Sequence, residues 1–478
     1  MQSLGRTSTR RRALSLAVVS SLAIFGLGTG AVSAAADVKK SEGAKEQDNQ
    51  SENPAAGNDS PGRPELSTLL PCVGRADGKY FIDQTKLPLT PLPGARSLSG
   101  LLDGAGYQME IPGNWNGELV VWAHGFAGWG CELRVDVPPM RKYLIDNGFA
   151  WVASSYSRNG YVVQQGVNDS IAAAKLFKKL VSKPKRTYMT GASMGGHITG
   201  VAIEQKKEFF DGAMPVCGVM GDRELFDYFL AYNQVAATLS GVAVPYPTLT
   251  NYLTTSVPAI RAGLGASGAA KLAAATKNLS GGERPGWPVS YGFWDSFNFL
   301  FSLAVPNPGV VPTFPASNVN TVYQLDDNPA LSVEEQILNQ NVSRVSRLDV
   351  PTPAGTVSVP AINGTFEIPV LTMHTLGDLF VPFSMEQIYA RRAAANGNRQ
   401  MLVQRAIRDT THCGFAEAEY NQAFGDLVAW VRTENKPAGD DVLDSAAVAQ
   451  PTFGCRFSNN TGIFTGSPFR VAAFAPCS

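Results

Sequence analysis

The pentapeptide Gly191-Ala192-Ser193-Met194-Gly195 limits what this chain can fold into more than any other feature. Residues 186–190 before it (Arg-Thr-Tyr-Met-Thr) begin a β-prone run, and residues 196–204 after it read as a helix. A strand that must become a helix within so few residues needs a tight corner. The flanking glycines let the two elements approach where a Cβ would collide. Such a pattern is a hypothesis until its surroundings agree with it, so the rest of the chain must supply a parallel sheet.

The surroundings do agree. Residues 106–111 alternate like a strand, and 118–123 (Glu-Leu-Val-Val-Trp-Ala) form a nearly continuous apolar run, as a strand buried on both faces does. That run ends in the Gly-rich loop 124–130. A helix is expected over 140–147, a second buried strand over 149–154, and a helix over 169–181, where Ile171, Ala174, Leu176, Phe177 and Leu180 recur at helical spacing. The corner follows, then a strand at 212–216. Strand alternating with helix predicts an α/β fold with a parallel sheet. From 217 to 366 the pattern stops: the segment is rich in Pro, Gly, Asn and aromatics, with helix-like pieces at 223–232 and 333–339. A segment this long is not a structureless loop, so a cap inserted over the sheet is expected. Strand (369–374), helix (384–394), strand (401–406) and a long helix (415–432) then resume the alternation. The tail from 440 to 478 is Pro/Gly-rich, β-like at 469–474, and expected to wrap the body. The domain reading is core at 67–217, cap at 218–366, core again at 367–436 and a C-terminal extension at 437–478.

The first 36 residues read as a signal peptide. Arg6, Arg10, Arg11 and Arg12 precede an apolar run at 13–27 and small residues at 31–36, with a twin-arginine signal as one form of it. Residues 37–66 carry almost nothing apolar and are expected to be a disordered linker. Export makes the six cysteines (Cys72, Cys131, Cys217, Cys413, Cys455 and Cys477) candidates for disulfides, with Cys455–Cys477 closing a short loop. No C-x-x-C or H-x-x-x-H spacing exists, so no metal is expected. With 40 basic and 40 acidic residues and no basic stripe, nucleic acid is excluded as a partner, and no stable membrane anchor is expected.

A serine on such a corner attacks a carbonyl only with a base to take its proton, an acid to orient that base and N–H donors for the oxyanion. On this kind of sheet the order along the chain is serine, acid, histidine. The chain has four histidines: His124, His197, His374 and His412. His412, in Thr-His-Cys-Gly-Phe between the last strand and the last helix, is the one that follows a suitable acid. Asp378, past the strand end in a Gly-Asp turn, is the expected acid, with Asp222 as runner-up. The N–H groups of Phe126 and Met194 are the expected oxyanion hole. His124 is expected to pack beneath its loop, His197 behind the corner, and His374 as a satisfied strand-end residue.

Taken together, His124-Gly125-Phe126, the Gly-Ala-Ser-Met-Gly corner, the Gly377-Asp378 turn and His412-Cys413-Gly414-Phe415 resemble the α/β-hydrolase superfamily over residues near 105–217 and 367–433. A weaker likeness is to tannase and feruloyl-esterase-like enzymes, which carry a cysteine just before the serine where this chain has Ala192. The resemblance implies a secreted serine hydrolase of small or polymeric carboxylic esters, with Ser193, Asp378 and His412 as the triad and no cofactor. Two alternatives stay open. One is a prolyl-type exopeptidase of the same fold, with Glu334 and Glu335 receiving a peptide amine; the other is a catalytically silent binding member. In the cap, Trp287, Tyr291, Phe293, Trp294, Phe297, Phe299 and Phe301 either form its own core or clamp an acyl group, with Trp287 and Trp294 the candidate substrate contacts.

Overall fold

Eight strands hydrogen-bond into one sheet in a computed structural model that describes residues 72, 74–244, 252–302, 316–346, 359–459 and 468–477. They are β1 (Ala95–Leu102), β2 (Ala105–Pro112), β3 (Glu118–Ala123), β4 (Ala150–Ser154), β5 (Arg186–Ala192), β6 (Gly212–Val216), β7 (Val370–Thr375) and β8 (Leu402–Ile407). Their order is β1-β2-β4-β3-β5-β6-β7-β8. The β1–β2 and β2–β4 pairs are antiparallel and all others are parallel. The signal peptide and linker read at 1–66 lie outside the described residues.

Buried strands alternate between two cores. On β3, Val121 joins Met189, Ile198 and Phe177 on one side, while Val120 joins Trp151, Tyr188 and Phe424 on the other. Each fully buried side chain of this size contributes about 1.5–3 kcal/mol, which is why β3 tolerates no polar alternation. Helices α1 (Arg141–Asp146), α2 (Val163–Leu180) and α3 (Met194–Gln205) connect the first parallel strands. The helix expected at 169–181 starts earlier because Val163 and Val167, both fully buried, extend its apolar stripe.

Between β6 and β7 the described residues contain no strand. They form α4 (Glu224–Ser240), α5 (Val257–Leu279), α6 (Trp287–Ser302) and α7 (Val333–Asn341). Neither α5 nor α6 was expected, and α6 is the aromatic-rich stretch itself. The core resumes with α8 (Ser384–Ala395) before β8 and α9 (Glu417–Thr433) after it, and α10 (Ser445–Val448) and α11 (Pro468–Ala473) complete the tail. The β-like reading of 469–474 is therefore corrected to a helix. Arg470 and the following Phe474, four residues apart and thus on one helical face, are both buried, Phe474 beside Leu376 and Phe383. Those tertiary anchors select the helical period over the alternating one. Among the described residues no helix is long and apolar enough to cross a membrane.

Candidate active site

Ser193 stands between β5 and α3 with φ 60° and ψ −121°, a conformation non-glycine residues seldom adopt. Close packing enforces this corner. A Cβ on Gly195 would come 2.0 Å from the Ala123 carbonyl oxygen, and one on Gly191 would come 2.3 Å from that of Gly195. The Ser193 N–H donates to Val216 O at 3.1 Å, which fastens the corner to the end of β6. Met194 opens α3, so its N–H has no intrahelical acceptor and lies at the positive end of the helix dipole.

The loop after β3 passes directly over the serine. A Cβ on Gly125 would sit 3.2 Å from Ser193 Cβ, which places the backbone leading into Phe126 beside the hydroxyl. The Phe126 ring is partly exposed and meets Trp129 edge-on at 5.4 Å. His124 packs below, its Nδ1 donating to Gly125 O at 2.7 Å and its ring stacked on Tyr156.

Asp378, fully buried just past β7, accepts at Oδ1 from the N–H groups of Phe380 (2.9 Å) and Val381 (3.0 Å). Its Oδ2 accepts from His412 Nδ1 at 2.5 Å. That bond places the neutral imidazole's proton on Nδ1 and leaves Nε2 as an acceptor. Nε2 is buried and has no hydrogen-bond partner among the described residues. The Phe380 ring meets the imidazole edge-on at 5.1 Å, and Phe229 and Trp294 stack on Phe380 in turn.

The loop that carries His412 is held from several distant parts of the chain. Trp294 Nε1 donates to Thr410 O at 2.8 Å and Thr375 Oγ1 to Thr411 O at 2.8 Å. Asp409 Oδ1 accepts from the Thr411 N–H, and Asp409 Oδ2 accepts from Arg470 Nε at 3.1 Å. Burial raises the Asp409 pKa, against the opposing pull of Thr411 and Arg470. Arg470 Nη2 also donates to Gly414 O at 2.9 Å, so one tail side chain clamps the loop at both ends. Cys413, next to His412, is disulfide-bonded to Cys217, the residue after Val216. The histidine loop is thereby covalently joined to the strand end that holds the Ser193 N–H. Cys217, Cys413 and His412 present ligand atoms within 4.8 Å of one another, but the two sulfurs are bonded together and neither is a thiolate. The other bridges are Cys72–Cys131 and the expected Cys455–Cys477.

Asp222, the runner-up acid, is committed elsewhere: Oδ2 accepts from Arg392 Nη1 (2.6 Å) and the Ile362 N–H (2.9 Å). His197 accepts at Nδ1 from the Tyr161 hydroxyl and donates from Nε2 to Pro360 O. Burial drives its pKa down to about 4, which keeps it neutral. Trp294 reaches the histidine loop, as described. Trp287 packs against Leu379 and beneath the Arg284 guanidinium, beside the acid turn rather than the imidazole. The carboxylates considered for a peptide amine are otherwise engaged. Glu334 pairs with Lys271 at 2.5 Å, and Glu335 caps α7 through Ser332 while accepting from the Leu325 N–H. His374 does more than end a strand, since it faces Glu386 as well as the acid turn. No local motif marks Arg470, Glu386 or the Cys217–Cys413 pairing.

Comparison with known proteins places the prolyl oligopeptidase family over residues 146–236, which include the corner but neither Asp378 nor His412. An o-phthalyl amidase from Xanthobacter agilis is 25% identical over 183 residues, covering 37% of this chain and 36% of that enzyme. The match thus spans about a third of that curated relative's length. Among solved structures, feruloyl esterase B from Aspergillus oryzae aligns at 14% identity and TM-score 0.43 over 77% of this chain and 86% of its own. The acylaminoacyl peptidase of Pyrococcus horikoshii aligns at 12% and 0.36 over 73% of this chain and 43% of its own. The family match falls on the stretch where the sheet carries its serine corner, and the mostly parallel eight-stranded sheet with its connecting helices has the α/β-hydrolase fold.

Proposed function

We propose that the protein is a secreted serine hydrolase that cleaves carboxylic esters. His412 Nε2 takes the Ser193 proton as Oγ attacks the ester carbonyl. The tetrahedral oxyanion then forms beside the N–H groups of Phe126 and Met194. The imidazolium, steadied by Asp378, returns the proton to the leaving alkoxide as the C–O bond breaks, and an acyl-enzyme results. Water, deprotonated by the same imidazole, releases the acid and restores the serine.

The observation that carries this reading is the Asp378–His412 bond, which leaves a buried Nε2 unengaged on a loop cross-linked to the end of β6, where the Ser193 N–H is held. Engagement of Glu334 and Glu335 within the insertion favours ester cleavage over capture of a peptide N-terminus. Three disulfides favour an oxidising compartment, and hence the exported form. The inserted helices act as a cap, with Trp294 and Phe380 the proposed apolar wall beside the imidazole, and Trp287 stands further out.

The test is labelling by a fluorophosphonate probe, lost in Ser193→Ala, followed by parallel assays with p-nitrophenyl and feruloyl esters, an aryl amide and an aminoacyl anilide. Faster turnover of either nitrogen-containing substrate would replace the ester reading with an amidase or peptidase one. Absence of labelling would make the chain a silent member.

A further inference from the structure

Behind Asp378 lies a second histidine–carboxylate pair that the proposed reaction does not use. His374, near the end of β7, is fully buried, and Glu386, in the first turn of α8, is 1% exposed. His374 Nε2 donates to Val381 O at 2.8 Å, and the Val381 N–H is one of the two that hold Asp378 Oδ1. The same Nε2 lies 3.9 Å from Asp378 Oδ2, the oxygen that receives the His412 proton donor. On its other side, His374 Nδ1 lies 3.5 Å from Glu386 Oε1, and neither atom has another partner among the described residues. Glu386 Oε2 accepts from Thr372 Oγ1 at 2.5 Å and Gln404 Nε2 at 2.6 Å.

This geometry calls for a proton between the ring and Glu386. Nε2 must carry a proton to donate to Val381 O, so a neutral ring would turn its Nδ1 lone pair toward a buried carboxylate. Two facing acceptors without water are unfavourable, whereas a proton on Nδ1 makes them an ion pair. Burial opposes the charge, but Glu386, by hydrogen bond and by charge, then Asp378 and the Val381 carbonyl, outweigh it and raise the His374 pKa.

We propose that His374 is held as an imidazolium between Glu386 and Asp378, and that it is a positioning residue for the reaction. It fastens the turn around Asp378 and tempers the negative charge that His412 meets. The inference rests on the assignment of Asp378 and His412 as acid and base. The charged groups facing His374 are Glu386 from α8 and Asp378 from the turn. Beyond Asp378 stand Arg284, whose Nε donates to Leu376 O, and the buried Tyr228 of α4, both within its electrostatic reach. A positive ring close to one Asp378 oxygen weakens the hold of that carboxylate on the His412 proton. Without it, Asp378 grips that proton more tightly.

The test uses the full-length chain, with imidazole nitrogens labelled, as wild type, His374→Gln and Glu386→Gln. Four histidines make the nitrogen spectrum assignable. His374 should be doubly protonated near about pH 7 in wild type and neutral in Glu386→Gln. The acid limb of the kcat/KM profile should move up by about one pH unit in both variants, with KM little changed. A neutral His374 in wild type overturns the proposal, as does an unmoved acid limb in a folded variant. If His374→Gln does not fold, the near-isosteric Glu386→Gln carries the test. The His412 Nδ1 proton resonance should also shift in both variants, and it can be read whether or not the chain hydrolyses anything. A wild type unreactive toward fluorophosphonate that still shows this shift would sink the hydrolase reading and leave the His374 inference standing.

Discussion

The turn carrying Asp378 and the loop carrying His412 leave adjacent strands, β7 and β8, yet they are held differently. Asp378 is held from within its own stretch. Its Oδ1 is bound by N–H groups two and three residues on, and the carbonyl of Val381 is bound by His374, four residues back from the acid. Outside ties to its backbone come just before the acid, from Leu376 and Gly377 to the neighbouring strand end at Ile407 and Asp409, and from Arg284 to the Leu376 carbonyl. His412, by contrast, depends on Trp294 from α6, Cys217 from the end of β6 and Arg470 from α11. A short turn that bonds itself needs little from the rest of the fold. A loop that must put an imidazole over another strand does not bury enough of itself to stay there, and takes its order from distant groups.

This contrast can be broken from either side. The largest effect on turnover is expected from Asp378→Asn, with kcat falling roughly 10³–10⁴-fold because the amide favours the wrong imidazole tautomer, while the melting temperature stays near wild type. A comparable loss of melting temperature would mean that the acid turn is not self-supporting. Next, Cys217→Ser with Cys413→Ser should lower kcat by roughly 10–100-fold. It should also cost about 2–5 kcal/mol, since the bridge closes a loop of 196 residues in the unfolded chain. Denaturant melts and single-turnover acylation measure the two parts separately. If acylation proceeds unchanged, the disulfide only stabilises.

Arg470→Gln leaves Asp409 and Glu419 buried without their cation. It should cost roughly 3–5 kcal/mol and lower kcat by about 10-fold, with Arg470→Lys between it and wild type. Chemical melts of the series would show whether the tail clamps the loop or merely covers it. Trp294→Phe keeps the packing but loses the bond to Thr410 O, and should change kcat by less than about 10-fold.

A last expectation concerns stability instead of turnover, a pH signature with opposite signs at two buried histidines. His374 has its pKa raised above 6.5, so its stabilisation is full below pH 6.5 and is lost as pH rises through the folded value. His197, beside the serine, is lowered from 6.5 to about 4, so stability is lost as pH falls from 6.5 toward 4, by up to roughly 3 kcal/mol. Melting curves of His374→Gln and His197→Gln against wild type should therefore diverge at opposite ends of the pH range. Divergence at the same end would refute the assignment of charge to His374.

Much of the site was legible because its parts are local. The Ser193 corner needs glycines at fixed spacing, the proposed acid follows a strand end through a Gly-Asp turn, and four histidines leave few candidates for a base. The buried parallel strands were visible as apolar runs. The insertion was visible as an interruption with helix-like pieces at 223–232 and 333–339, where α4 and α7 lie, whereas α5 and α6 escaped because small or apolar residues recur all around them and leave no clean stripe in the sequence. The tail at 469–474 was misjudged for a related reason: its inward-facing residues answer to Asp409, Glu419 and Leu376, none of which is near in sequence.

From its sequence alone this chain had determined a mostly parallel sheet, a strained serine between β5 and α3, and the order in which the proposed acid and base follow, because backbone sterics and burial act over a few residues. Tertiary structure decided what surrounds them: the partner of Cys413, the buried His374–Glu386 pair under the acid, and the arginine that grips the histidine loop from the tail. Those contacts join residues tens to hundreds of positions apart, and such pairings take their energy from being brought together in a dry interior, which no local run of side chains encodes.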